Sequence, residues 1–308
     1  MPSGILNIDK PSGQTSHDVV ARVRALTGIR RVGHAGTLDP LATGVLVVCV
    51  GRPATRVVEY LMDEPKTYRT EAWLGATTDT FDAEGEVVSE RSVEVGRDAV
   101  EQALKRFRGL IQQIPPMYSA VKHGGKPLYR LARRGVEVER EPRRVGIHRL
   151  QLISWDPPRF TLEISCSPGT YVRVLVHDLG QELGCGAYVT GLTRLRSGGF
   201  RLEDALTLDA FAETAKEGRW PEMLCPVDRA LAHRFPALHL DADKAGRLCS
   251  GQAVTGVDKG TKHAELARAY GPEGRFLALV AYDPAGRMWR PRKVFLSPYP
   301  GPRSEASD

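Results

Sequence analysis

The segment Gly33-His34-Ala35-Gly36-Thr37-Leu38-Asp39-Pro40-Leu41-Ala42-Thr43-Gly44 packs three glycines, an imidazole and a carboxylate into twelve residues. It leads directly into Val45–Val50, an unbroken apolar run, which reads as a buried strand. Loops pinned against a rigid strand are frequent places for catalytic groups. A carboxylate held there suits nucleophilic or electrostatic work at a carbon centre. The same residues also admit a plainer reading, in which Asp-Pro is a common turn pair and Asp39 caps the turn. On residue types alone, both readings stand.

Other chemistries find no support. Gly125-Lys126 would need a glycine at position 120 to form a phosphate loop, and Ala120 is there; the Gly184-x-Gly186 pair lacks a third glycine because Val189 takes its place. Neither H-E-x-x-H nor G-x-S-x-G occurs. Cys49, Cys166, Cys185, Cys225 and Cys249 include no C-x-x-C pair, and an odd, scattered set reads as free thiols of a reducing compartment. Neither a metal nor a cofactor is implied.

The charge is concentrated. Net charge is +6, yet residues 101–150 alone hold 12 Lys or Arg against 4 Glu. Lys122, Lys126, Arg130, Arg133, Arg134, Arg140, Arg143 and Arg144 follow one another there, with Tyr118, His123 and Tyr129 interleaved. Cations neutralise phosphates while rings and guanidinium planes stack on unpaired bases, so this stretch suits a nucleic acid; a solvated helix face is the alternative.

These groups need a scaffold. Ile5–Ile8 reads as a strand ending at the Lys10-Pro11-Ser12-Gly13 turn. Thr15 or Ser16 caps a helix with Val19, Val20, Val23 and Leu26 on its apolar face, ended by Gly28. Residues 31–44 form the loop, and Pro53 opens a helix through about Leu61. Lys66–Leu74 alternates, with Tyr68, Thr70, Ala72 and Leu74 on one face. A helix around Asp98–Phe107 precedes the basic segment, which opens on the non-helical Ile114-Pro115-Pro116-Met117. Arg144–Trp155 and Phe160–Ser165 read as paired strands, and Tyr171–Leu183 as a helix. From Phe235 the pattern turns to short strands between Gly and Asp. With 308 residues, 42% hydrophobic, the chain has room for a sizeable core and a second small domain. No apolar run approaches the ~20 residues of a membrane span, and no basic-then-apolar leader opens the chain, which predicts a cytoplasmic protein.

The loop resembles the catalytic motif of the TruB family, the bacterial tRNA pseudouridine-55 synthases. Further blocks, in family order, carry the resemblance: Lys10-Pro11-Ser12-Gly13-Gln14-Thr15-Ser16; Lys66-Thr67-Tyr68-Arg69; Thr78-Asp79-Thr80-Phe81-Asp82-Ala83-Glu84-Gly85; Gln113–Lys122 with Leu128-Tyr129 and Ala132–Gly135; and Gly169-Thr170-Tyr171-Val172-Arg173 with Asp178-Leu179-Gly180. Together they cover most of residues 5–200. Pro168 stands where the family often has a basic residue, and residues 235–297 resemble a PUA-type RNA-binding domain only loosely.

The resemblance implies isomerisation of one tRNA uridine, in the T loop at position 55, to pseudouridine. The reaction breaks N1–C1′, turns the base and joins C5 to C1′, exchanging only a proton at C5, so it needs neither cofactor nor metal. By the same resemblance Asp39 is the essential carboxylate, Arg173 the cation that keeps it ionised, and Tyr68 the ring that stacks on the extruded base. Tyr171 and Leu192 line the base pocket, His34 contacts RNA beside the flipped nucleotide, and Asp82 belongs to the substrate site. Lys122, Lys126, Arg130, Arg133 and Arg134, in a thumb spanning 112–145, grip the backbone and offset base extrusion, which costs about a few kcal/mol. The partner is the tRNA T arm, with no obligate protein partner and a monomeric chain.

The fold so implied is α+β: a mixed, largely antiparallel sheet with flanking helices over 1–234, the basic thumb inserted in it, a small β-rich PUA-like domain over 235–297, and a disordered tail, 298–308. Rival functions are a non-catalytic tRNA-binding or folding protein, and a pseudouridine synthase acting on another RNA, such as a guide-dependent enzyme. The thumb block and the lack of a long basic C-terminal extension favour the tRNA enzyme over the second. A retaining glycosidase would need a second carboxylate about 5 Å from the first, and the sequence shows no candidate near Asp39.

Overall fold

Thr43–Val50 is buried along nearly its whole length, as expected of a strand covered on both faces. In the computed structural model, which describes residues 2–256 and 264–296, it lies inside a ten-stranded sheet. Along the sheet run Leu206–Thr207, Gly4–Lys10, Thr43–Val50, Ala187–Ser197, Lys66–Leu74, Arg159–Cys166, Arg143–Asp156 and Gly109–Gln113; Val32–His34 and Phe200–Arg201 pair alongside. Two of these pairings are parallel, Gly4–Lys10 with Leu206–Thr207 and Thr43–Val50 with Ala187–Ser197, and the rest are antiparallel. The mixed, largely antiparallel α+β architecture is therefore as expected.

Local signals explain the flanking helices. Thr15 caps Ser16–Thr27 by accepting from the Asp18 amide while the Asp18 carboxylate takes the Thr15 amide, and Gly28 ends the helix in the left-handed conformation. Val19, Val20 and Val23 enter the main core, joined there by Val172, Leu175, Val176 and Leu179 of the helix Val172–Glu182. Tyr68 is half-buried, while Thr70, Ala72 and Leu74 on its face are buried and Arg69, Glu71 and Trp73 on the other are exposed, so the expected alternation holds.

The basic segment leaves the sheet at Gln113 and returns at Arg143, and those two residues are paired neighbours. Between them stand the two-stranded ribbon Lys122–His123/Lys126–Pro127 and the short helix Leu128–Ala132. The C-terminal β domain is a four-stranded sheet ordered Ala237–His239, Leu266–Tyr270, Phe276–Asp283, Met288–Val294, with the helix Ala242–Cys249 against it. It has its own core around Leu238, Leu248, Leu277 and Trp289. A separate apolar cluster joins Phe235 and Leu279 to Ile5, Val47 and Leu61 of the main body. No helix among the described residues is long and apolar enough to cross a membrane.

Several expectations are corrected. The helix from Pro53 to about Leu61 is two short helices, Gly51–Thr55 and Val58–Met62, because buried Val57 breaks helical geometry between them (φ −106°, ψ 5°). The loop 31–44 begins with the strand Val32–His34, zipped to Val48–Val50. Ala187–Ser197, the strand nearest the sheet's centre, went unread: two register shifts break its period, and Thr190, Thr193, Arg194 and Arg196 dilute its apolar signal. The helices Leu208–Lys216 and Ala242–Cys249 were also unread. The tail 298–308 lies outside the described residues.

Candidate active site

Two separated sequence blocks build the Asp39 loop. Ser16 Oγ donates to Leu38 O (3.1 Å) and accepts from Leu38 N (2.9 Å), and Gly13 N donates to Pro40 O (2.9 Å). Lys10, fully buried, donates through Nζ to Gln14 O (2.6 Å), Pro11 O (2.7 Å) and Pro40 O (3.1 Å). The Lys10–Ser16 turn and the Asp39-Pro40 turn are thus one hydrogen-bonded unit. Burial pulls the Lys10 ammonium down to about 8, with Asp39 and Glu84 opposing the shift.

Arg173 faces this unit from the first turn of Val172–Glu182 and is 3% exposed. Its Nε donates to Asp39 Oδ2 at 2.9 Å, its Nη1 to Thr80 O at 2.8 Å, and its Nη2 to Tyr118 O at 2.9 Å. Asp82 Oδ2 is 3.3 Å from Nη1. One guanidinium therefore ties the Asp39 loop, the Thr78–Gly85 loop and the base of the thumb to one helix. Burial pushes the Asp82 carboxyl up, against the Thr80 hydroxyl and Arg173, which favour its ionised form. Burial also raises Glu84, with Asp82 and Asp39 adding to the shift. This corrects the expectation that no second carboxylate stands near Asp39: Asp82 reaches the same guanidinium, brought there by a parallel bridge to Val189.

The remaining predicted residues lie on several other elements. Tyr68 and Leu192 lie on adjacent paired strands, and burial raises the Tyr68 phenol. Leu192 is 6% exposed within the main core. Tyr171 caps the Arg173 helix; its amide donates to Gln113 Oε1 (3.0 Å), and its carbonyl accepts from Gln113 Nε2 (3.2 Å). Buried Gln113 thereby fixes the thumb's root to the helix that carries Arg173. His34 is half-buried beside the His17 ring (5.8 Å), with no partner for its Nδ1. Burial, with lesser contributions from His17 and Arg194, pushes His34 down to about 4.

Lys122, Lys126, Arg130, Arg133 and Arg134 are all exposed. Arg133 lies over the Tyr129 ring at 5.7 Å. Leu128, 1% exposed, anchors their helix. Among the described residues, no three His, Cys, Asp or Glu side chains converge as metal ligands would.

Sequence reasoning missed Lys10 and Gln113, which hold the Asp39-Pro40 turn and the helix of Arg173. For Lys10 there was a signal, since it falls in register with Leu6 and Ile8 on the inward face of its strand.

The chain matches the sequence profile described as "TruB family pseudouridylate synthase (N terminal domain)" over residues 24–172. The profile for the "tRNA pseudouridylate synthase B C-terminal domain" matches 173–232, and that for "tRNA Pseudouridine synthase II, C terminal" matches 235–296. It is 48% identical to tRNA pseudouridine synthase B of Pseudomonas aeruginosa (strain UCBPP-PA14) over 96% of each chain. The chain belongs to the TruB family.

The tRNA pseudouridine synthase B of Cupriavidus metallidurans is likewise 48% identical, over 90% of each chain. Among solved structures, this TruB-family chain resembles a Cbf5-Nop10-Gar1 complex over 96% of its length and 85% of that chain, with TM-score 0.75 and 27% identity. It also resembles an H/ACA RNP bound to a substrate RNA containing 2′-deoxyuridine, with TM-score 0.73 and 25% identity over 96% of this chain and 86% of that one. The family assignment makes the chain a pseudouridine synthase, and the Asp39–Arg173 pair lies within its family-matched region.

Proposed function

We propose that this protein isomerises the position-55 uridine in the T loop of tRNA to pseudouridine, with Asp39 as its essential carboxylate. The observation that carries the reading is the asymmetry of one ion pair: Arg173 is sealed in, while Asp39 keeps 34% of its side chain open. A carboxylate held on one side by a buried cation presents its free side to a substrate.

The extruded uridine lies with its base against Tyr68, between Tyr171 and Leu192, and its sugar towards Asp39. Cleavage of N1–C1′ leaves the bonding pair on the base. The base turns, C5 bonds to C1′, the C5 proton departs to solvent, and N1 takes up one proton, leaving the product base neutral. Arg173, itself paired with Asp82, holds Asp39 in place, and His34 lies beside the vacated stack. The five exposed thumb cations hold phosphates and help offset extrusion. In this reading residues 1–234 form the catalytic unit, with the thumb at 112–145. Residues 235–297 form a PUA-like unit, and the chain acts as a cytoplasmic monomer.

Two alternatives differ in class. A guide-dependent synthase is suggested by the H/ACA-type neighbours, yet those are 25–27% identical, against 48% for relatives named as tRNA enzymes. A non-catalytic tRNA-binding protein predicts that Asp39 is dispensable. The test is tritium release from a tRNA transcript labelled at uracil C5, comparing wild type with Asp39→Asn. Stoichiometric release by wild type alone, mapped to position 55, supports the proposal. Tight binding without release by wild type, or release by the Asn variant, sinks it.

A further inference from the structure

Arg194 lies on Ala187–Ser197 directly opposite Tyr68, so the two side chains share one face of the sheet. Leu192, opposite Thr70, lies on that face as well. Arg194 is 1% exposed. Its guanidinium donates to Val45 O at 2.6 Å, Gly36 O at 3.1 Å and Thr37 O at 3.4 Å, gathering both ends of the Asp39 loop onto one cation. Burial raises the Tyr68 phenol, and the Arg194 charge opposes that shift.

Its charge has no counter-ion. Arg173 takes the carboxylates of Asp39 and Asp82, and no carboxylate lies within ion-pairing distance of Arg194 among the described residues. Lys10 and Lys66, both buried, bring more positive charge to the same region; burial pulls each down to about 8, and Arg194 repels both. Buried cations are normally paired, because an uncompensated one costs a fold dearly. A standing positive charge beside Tyr68 is matched when an anion forms there.

We propose that Arg194 is a positioning residue of the isomerase site: it fixes the Asp39 loop beside Tyr68, and its unpaired charge favours the base while it is detached and anionic. The proposal rests on the isomerase reading above. When N1–C1′ breaks heterolytically, the pair stays with N1, and uracil carries one negative charge spread over N1, O2 and O4. Bonding of C5 to C1′ draws a pair from that anion; the C5 proton then leaves and N1 gains one, so the product base is neutral. The anion exists only between the two bond changes. A fixed charge therefore acts on the barrier rather than on tRNA affinity. Since its donors are spent on carbonyls, Arg194 acts through its field.

The test compares full-length wild type, Arg194→Lys and Arg194→Met by single-turnover tritium release at saturating tRNA, tRNA affinity by filter binding, and melting temperature. The Met variant should be slower by about 100-fold with affinity within about threefold, while the Lys variant, which keeps the charge, should stay within about tenfold of wild type. Equal losses in the Lys and Met variants, or a Met loss confined to affinity, would reduce Arg194 to a structural prop and overturn the proposal. Should the Met variant not fold, a folded Lys variant slower by more than about 100-fold refutes it alone. Absence of release from wild type would overturn the isomerase reading itself, whatever the variants do.

Discussion

Arg173 Nε lies 2.9 Å from Asp39 Oδ2, and Nη1 of the same guanidinium lies 3.3 Å from Asp82 Oδ2, so one buried cation secures carboxylates from two separate loops. The pair to Asp82 is closed to water, with 4% of either side chain exposed, whereas Asp39 stands one-third open. Structure is thus invested in the inner pair, and reactivity is left to the outer carboxylate.

Removing that cation should damage both. Arg173→Met leaves Asp82 buried beside Asp39 with no positive partner, a loss of about 3 kcal/mol in unfolding free energy for a broken buried pair. Arg173→Lys restores a charge but cannot reach Asp39, Asp82, Thr80 O and Tyr118 O together, because an ammonium lacks the planar fork. It should recover much of the stability, by urea denaturation, and little of the tritium-release rate. Full recovery of the rate by Lys would show that charge alone, not the four-way geometry, matters.

The thumb answers to a different measurement. Arg133 and Arg134 are exposed and without carboxylate partners among the described residues. Reversing both to Glu should weaken tRNA binding more at low salt than at high salt. The logarithmic salt dependence should flatten by roughly one for each phosphate left without its cation. The rate at saturating tRNA should change far less than the affinity. Equal losses of affinity at both salts would count against phosphate binding by these two side chains.

What the sequence made legible follows its physics. Val45–Val50 could be read because a strand buried on both faces leaves an unbroken apolar run. Thr15 and Gly28 could be read as helix ends because capping is local. Asp39 and Arg173 were found through motif resemblance. Their direct contact, and Asp82's share in it, arise from long-range pairing that no local pattern encodes. Lys10 and Arg194 escaped because composition rules place charged side chains at the surface, and both are buried by spending their donors on carbonyls.

His34 sets a pH dependence of defined sign. Its folded value, held near 4 by burial, lies below the ordinary 6.5. Between those limits the unfolded chain takes up a proton there that the folded chain refuses, so acidification removes stability. Asp82, Glu84 and Asp178, all raised by burial, act in the opposite sense and are common to wild type and variant. Wild type should therefore lose more melting temperature than His34→Gln between about pH 7 and about pH 4.5. Parallel slopes would show that His34 is protonated freely in the folded protein.

Two glycines with positive φ separate conformational cost from collision. Gly28 has φ 70°, and a Cβ there would meet nothing within 4 Å. Gly28→Ala should cost about 1 kcal/mol, the left-handed penalty alone. Gly44 has φ 95°, and its Cβ would fall 2.3 Å from Arg194 O, a backbone atom that cannot swing aside. Gly44→Ala adds overpacking to the same penalty and should cost about 3 kcal/mol. It should also slow isomerisation, because relief of the clash separates the two strands on which Arg194 and the end of the Asp39 loop are held. Matching losses for the two variants in urea denaturation would mean that the strands yield to the methyl group, and that their close approach at Gly44 is not what holds Asp39 in place.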